Sequence, residues 1–291
     1  MTYVLGDGTA PTCFKVSLDN GIAHIVLSRP ERLNAMAREF WSELPAIVRD
    51  IDDNARARVI VISSTGKHFT AGMDLSVFQA NDVLSGKKPA QPADRYVRAE
   101  QFRHRLRHLQ GSFDCLDEAR IPVLVAIQGG CIGGGVDFTS ACDIRYATAD
   151  AFFCIQEINI AMTADVGTFP RLCRLIPEGH VRELAYTGRR LPAARAKEIG
   201  LVNEVYPDQP AMLTAVMATA REIASKNPIA VTGSKVLINH ARDHTIAETL
   251  DYIGIWNMAL LSPEHMAEAF SAQKEKRAPR YPDLLPKQKR V

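Results

Sequence analysis

Pro122-Val123-Leu124-Val125-Ala126-Ile127-Gln128-Gly129-Gly130-Cys131-Ile132-Gly133-Gly134-Gly135-Val136-Asp137 is the stretch on which the fold turns. Residues 122–127 have the length and apolarity of one buried strand. The glycines over 129–135 read as a tight turn, and 136–141 opens a helix. Further strands are expected at 143–147 and 151–158. Upstream, 21–28 is a short β-rich run stopped by Arg29-Pro30, and 58–63 is a compact buried strand. Between them, 37–53 carries Phe40, Leu44, Ile47, Val48 and Ile51 at helical spacing. Pro45 inside it argues for a kink or a later start. A polar segment with Gly86, Pro89 and Pro92 reads as a surface loop. It leads into a basic helix over 96–116 with Phe102, Leu106, Leu109 and Phe113 on one stripe. Beyond Pro207-Asp208-Gln209-Pro210 helix formers dominate, and Pro228 and Pro263 divide that region into three expected helices. The mixture predicts an α/β fold, with a core over 1–207 and a helical region over 208–291.

The chain has 291 residues, 46% apolar and 23% charged, which is a globular composition. Lys plus Arg exceed Asp plus Glu by 35 to 33. No basic block points to nucleic acid as a partner, and no apolar run approaches the length of a membrane span. Six cysteines stand singly among apolar neighbours, without metal or disulfide spacing. The start lacks the pattern of a secretory signal or a presequence, and the end is not Ser-Lys-Leu. A cytoplasmic protein without metal is the expectation from these features.

The glycine cluster is the first place for chemistry. Three consecutive glycines before a helix let backbone approach a ligand closely, and the helix turns free N–H groups toward that turn. Neither dinucleotide-fold nor P-loop spacing is present, since Val136-Asp137 follows where a P-loop needs Lys and Ser or Thr. Asp137 is either a first-turn acid favoured by the helix dipole or a carboxylate at the mouth of an oxyanion site. Glu157 is expected at the end of an apolar strand, on the face of Phe153 and Ile155. There it is either desolvated enough for proton transfer or free to reach water. Asp165, in Ala164-Asp165-Val166-Gly167-Thr168, reads equally as an N-cap or turn residue before the Pro170 helix.

Together the three acids, spaced by 20 and 8 behind a triple glycine, are more informative. With Leu27-Ser28-Arg29-Pro30, Leu33-Asn34-Ala35-Met36, Phe69-Thr70-Ala71-Gly72-Met73-Asp74-Leu75 and Asp143-Ile144-Arg145, the chain resembles the crotonase (enoyl-CoA hydratase/isomerase) superfamily. Gly133-Gly134-Gly135-Val136-Asp137, the later Glu, and Ala164-Asp165-Val166-Gly167-Thr168 are similar to the Δ3,5-Δ2,4-dienoyl-CoA isomerases within it. Residues 242–245 and 255–258 extend the likeness.

The resemblance implies a spiral of ββα turns and a C-terminal helical region that builds trimers or hexamers. It implies an acyl-CoA thioester as substrate, with coenzyme A as part of that substrate and no separate cofactor. The thioester oxygen is expected between the N–H groups of Ala71 and Gly134, with Gly72, Met73, Asp74 and Leu75 lining the substrate. Asp165 is implied as base at C2, Glu157 as acid at C6 with a raised pKa, and Asp137 as a supporting carboxylate. Arg29, Arg32 and Lys67 are either partners for the phosphates of coenzyme A or plain surface charges. Two other readings are a 2-enoyl-CoA hydratase, using positions 137 and 157, and a non-catalytic acyl-CoA- or RNA-binding relative.

Overall fold

The computed structural model describes residues 3–74, 76–77 and 94–288. The expected loop before the basic helix, and Leu75, lie outside the described residues. The chain begins with an antiparallel pair, β1 (Phe14–Asp19) and β2 (Ile22–Leu27), followed by helix α1 (Phe40–Asp53) and strand β3 (Val59–Ser64). A long helix α2 (Arg95–Glu118) precedes β4 (Val123–Ile127), β5 (Gly130–Ile132) and α3 (Gly134–Ser140). Next come β6 (Ile144–Thr148), β7 (Phe152–Cys154), a 3-10 turn (Gln156–Ile160), and helices α4 (Thr168–Leu175) and α5 (Glu178–Thr187). The two-residue β8 (Leu191–Pro192), α6 (Ala193–Glu198) and β9 (Glu204–Tyr206) complete the strands. Four helices follow: α7 (Gln209–Ala224), α8 (Pro228–Ala241), α9 (Ile246–Leu260) and α10 (Pro263–Lys274).

The strands form a six-stranded sheet in the order β1-β2-β3-β4-β6-β9 and a three-stranded sheet β5-β7-β8. From β2 onward the large sheet is parallel. Each turn of chain therefore lays one strand in the large sheet and one in the small: β4 then β5, β6 then β7. An isolated parallel bridge between Thr70 and Cys131 adds the preceding turn, after β3, to the same pattern. The result is a spiral. Strands buried on both faces need continuous apolar sequence, which is what β3 and β4 have. Their alternate residues divide between two cores. Ile60, Ile62, Val123, Val125 and Ile127 join the main core. Val59, Val61, Leu124 and Ala126 pack under Met212, Val216 and Ala220 of α7.

The glycine cluster is not one tight turn. It holds β5, paired in parallel with β7, and α3 already starts at Gly134. Pro45 does not end α1, which runs through it. Proline has no N–H to give the carbonyl four residues back, and the Trp41 carbonyl instead accepts the Ser112 hydroxyl at 2.8 Å. Of the basic helix's stripe only Phe113 is buried, and Phe102 is exposed, because the first turns of α2 stand away from the core. Cys173 is exposed, whereas the other five cysteines are buried as expected. A fourth helix arises after 207 because Thr245 and Glu248 form a reciprocal capping box that starts α9 afresh. The final residues strap back over the core, where Arg58 holds Asp283 and the Tyr281 carbonyl and Lys287 pairs with Asp52.

Candidate active site

The loop after Thr70 and the start of α3 meet where the spiral brings two successive turns side by side. Thr70 N–H donates to the Gly130 carbonyl at 3.1 Å, and Ile132 N–H to the Thr70 carbonyl at 3.2 Å. His68 pins the same edge: its Nδ1 accepts the Gly130 N–H at 2.8 Å, so that nitrogen carries no proton. Burial, Lys67 and Arg190 hold the His68 imidazole below its ordinary value, which favours this neutral form. Two residues after Thr70, Gly72 has φ +86°, and a Cβ there would lie 2.7 Å from the Ile132 carbonyl oxygen. Only glycine permits both the turn and the approach. A Cβ on Gly135 would meet the Thr70 side chain at 2.6 Å, so the third glycine serves close packing.

The expected donor Ala71 is corrected by this geometry. Its N–H already donates to the Leu33 carbonyl at 3.0 Å. Gly72 O and Asp74 N–H both bond Met36, at 2.8 and 3.1 Å. In a trans peptide the N–H points opposite to its own carbonyl, and the Gly72 carbonyl faces Met36, so the Met73 N–H of the same peptide unit faces away from Met36. It has no acceptor among the described residues, nor has the Gly134 N–H in the first turn of α3. Met73 and Gly134, rather than Ala71 and Gly134, are the two adjacent amides left free. Asp74 turns back to accept from Ser76. Arg29, Arg32 and Arg38 line, with Asp74, a cavity of about 330 Å³. Lys67 is not among its lining residues.

α3 also carries Asp137, which is 1% exposed. Its Oδ1 accepts the Thr168 N–H at 2.7 Å, so Asp137 caps α4 from another turn of the spiral. The far end of α3 is fixed by Arg145, whose buried guanidinium donates to the carbonyls of Thr139, Cys142 and Leu201.

Glu157 is not at a strand end. β7 stops at Cys154, and Glu157 sits in the 3-10 turn, so alternation with Phe153 and Ile155 does not decide its direction. Its Oε1 lies 3.1 Å from where a Cβ of Gly133 would stand, beside the free Gly134 amide. Its Oε2 is buried without a hydrogen-bond partner among the described residues. Asp165 is two residues before the N-cap of α4, which is Gly167.

The three carboxyl groups act on one another. Burial, then the charge of Asp137 and that of Asp165, pushes Glu157 up to about 7. Burial raises Asp137 to about 6 against the lowering effect of its bonds to Thr168, with Asp165 adding to the rise. Burial also raises Asp165. Glu157 is thus part-protonated near neutrality beside the lower-lying Asp137, an arrangement suited to passing a proton. Met36, from the family motif, and two residues the sequence did not mark, Trp41 and Gln110, stand around these groups. Met36 Sδ and the Trp41 ring tip approach the Gly134 Cα side at 3.2 and 3.9 Å from a built Cβ. Gln110 donates to the Asp165 carbonyl. Nothing local distinguishes Trp41 and Gln110 from ordinary helix positions, since their partners come from other turns.

Comparison with known proteins agrees with this architecture. The family model for enoyl-CoA hydratase/isomerase matches residues 17–284. The mitochondrial Δ3,5-Δ2,4-dienoyl-CoA isomerase of Rattus norvegicus is 42% identical over 263 residues, 90% of this chain and 79% of that protein. The peroxisomal one of Arabidopsis thaliana is 38% identical over 266 residues, 91% of this chain and 94% of that protein. Among solved structures, an enoyl-CoA hydratase from Bacillus anthracis superposes with a TM-score of 0.81 at 29% identity, covering 95% of this chain and all of that one. The expected cytoplasmic location is corrected by the same comparison: these isomerases are named as mitochondrial and peroxisomal.

Proposed function

The chain belongs to the enoyl-CoA hydratase/isomerase family, and we propose that it converts 3,5-dienoyl-CoA to 2,4-dienoyl-CoA, the reaction its relatives are named for. The observation that supports this reading is that Glu157, next to Gly133, feels the charges of both Asp137 and Asp165, while the Met73 and Gly134 amides have no acceptor among the described residues.

In the reaction, Asp165 takes a proton from C2. The C2–H electron pair forms a C1–C2 double bond and leaves negative charge on the thioester oxygen. As that carbonyl re-forms, the C1–C2 pair moves to C2–C3, the C3–C4 pair to C4–C5, and the C5–C6 pair takes a proton from Glu157 at C6. Two double bonds enter conjugation with the thioester and no electrons leave the substrate, so no redox cofactor is called for. Coenzyme A serves as the handle of the substrate. Negative charge on the thioester oxygen is met by amides fixed in advance, each worth roughly 2.7–4 kcal/mol in comparable sites. We assign the division of labour so that Glu157, half-buried and crowded by two acids, holds a proton near neutral pH, while Asp165 accepts the C2 proton in its ionised form. Asp137 supports both, by its charge on Glu157 and by its bond to Thr168.

Arg29, Arg32 and Arg38 suit the phosphates of coenzyme A, since guanidinium groups pair well with phosphate oxygens. Exposed Ile246, Leu250, Met258 and Phe270 on the C-terminal helices support self-association into trimers or hexamers. Light scattering on the purified protein measures that mass directly.

The activity is tested by mixing purified protein with 3,5-dienoyl-CoA and, separately, with 2-enoyl-CoA. Rapid appearance of the conjugated dienoyl thioester with little loss of the enoyl chromophore is expected. Fast hydration without isomerisation overturns the reading in favour of a hydratase, and inertness toward both overturns it in favour of a binding protein.

A further inference from the structure

Asp165 stands on a short connection without regular structure between the 3-10 turn and α4. Such a connection is poor support for a group that must meet one carbon of its substrate. Three features of the fold remove that freedom. At the far end, the Thr168 N–H is held by Asp137. In the middle, Arg171 lies over Gly167, its Nη1 occupying the space of any Cβ there, while its other nitrogens pair with Asp114 and Asp117 at 2.6 and 2.8 Å. At the near end, Gln110 Nε2 donates to the main-chain carbonyl of Asp165 itself at 2.8 Å. Gln110, Asp114 and Asp117 are spaced by four and three, hence on one face of α2. One face of α2 thus supplies two of the three holds on the segment from Asp165 to α4, and Asp137 of α3 supplies the third.

We infer that Gln110 is a positioning residue for the base: its amide sets the backbone at Asp165, and through it the place of the carboxylate, without touching substrate. A carbonyl only accepts, so the NH2 end of Gln110 must face it, and a side chain of equal length without a donor cannot replace it. The inference rests on the role proposed above for Asp165. A misplaced reacting group loses rate rather than affinity, and a shift of about 1 Å costs up to about 100-fold.

The test is Gln110→Met, which keeps length and helix preference on a half-buried site and removes the donor. Expected are a 10- to 30-fold fall in kcat on 3,5-dienoyl-CoA, KM within twofold, and an unchanged Tm. The isotope effect with C2-deuterated substrate should be larger, because proton removal becomes more fully rate-limiting. Gln110→Asn, an amide one methylene short, should fall between the two. A Met variant with kcat within twofold of the parent overturns the inference. So does a loss of kcat matched by a rise in KM or without a larger isotope effect, or an Asn variant no better than Met. Amide hydrogen exchange over 161–172 gives a readout independent of substrate: faster exchange is expected in Gln110→Met, and unchanged exchange overturns the clamp. If the parent protein fails to isomerise 3,5-dienoyl-CoA, the functional reading fails separately, and the exchange result still decides the clamp.

Discussion

Asp137 accepts the main-chain N–H of Thr168 at 2.7 Å, so a carboxylate from one turn of the spiral caps the helix of the next. The same carboxylate is one of the charges that push the Glu157 pKa up. Its two duties are separable by substitution. Asp137→Asn keeps an acceptor for Thr168 but deletes the charge. Glu157 should then lose its proton at lower pH, and the alkaline fall in kcat, set near 7 in the parent, should move downward. Asp137→Ala removes the acceptor as well, and urea unfolding should show a further cost of about 1–3 kcal/mol for the buried, unpaired N–H.

Asp165→Asn and Glu157→Gln each remove one end of the proton path. Either should cut kcat by about 10²–10⁴-fold, the range for a positioned acid or base. Binding of a non-reacting acyl-CoA, measured by calorimetry, should change little. Near-normal turnover by Asp165→Asn would show that another group is the base.

Glu157 also ties stability to pH. Its folded value of about 7 lies above the ordinary 4.5, so the folded chain holds the proton more tightly than the unfolded one. The resulting stabilisation is complete below pH 4.5 and is lost as pH rises through 7. Glu157→Gln carries no such dependence. Relative to the parent it should gain about 2–3 kcal/mol between pH 5 and pH 8, read from paired thermal melts.

Gly72→Ala places a methyl 2.7 Å from the Ile132 carbonyl oxygen in a left-handed backbone, so the loop must move. The Met73 amide moves with it. Loss of about 10²–10³-fold in kcat is expected, the usual cost of losing one oxyanion donor. Stopped-flow absorbance with intact secondary structure by circular dichroism separates this from unfolding.

Pro45 and Ser112 form a pair whose coupling can be measured. Ser112→Ala leaves the Trp41 carbonyl buried and unpaired, and should cost about 1–3 kcal/mol in urea unfolding. With Pro45→Ala as background the restored N–H serves that carbonyl, and the same Ser112 change should cost less than half as much. Equal costs in both backgrounds would mean that the hydroxyl does not replace the missing helix bond.

The sequence by itself determined what depends on neighbours along the chain. The buried strands at β3 and β4 announce themselves by unbroken apolar runs, because parallel strands are covered on both sides. The family motifs and the three acids were legible because residue type and spacing carry them. Even the break before α9 was written in Thr245 and Glu248, though the proline positions alone did not reveal it. The tertiary structure decided everything that hangs on a partner from another turn. Ala71 looks as available as Met73 until Leu33 arrives to take its N–H. Glu157 sits in a 3-10 turn rather than a strand, and its burial comes from elements that pack around it. Gln110 has no local mark at all. Hydrogen-bond pairing and desolvation are properties of assembled surfaces, and a spiral assembles them from residues far apart in sequence.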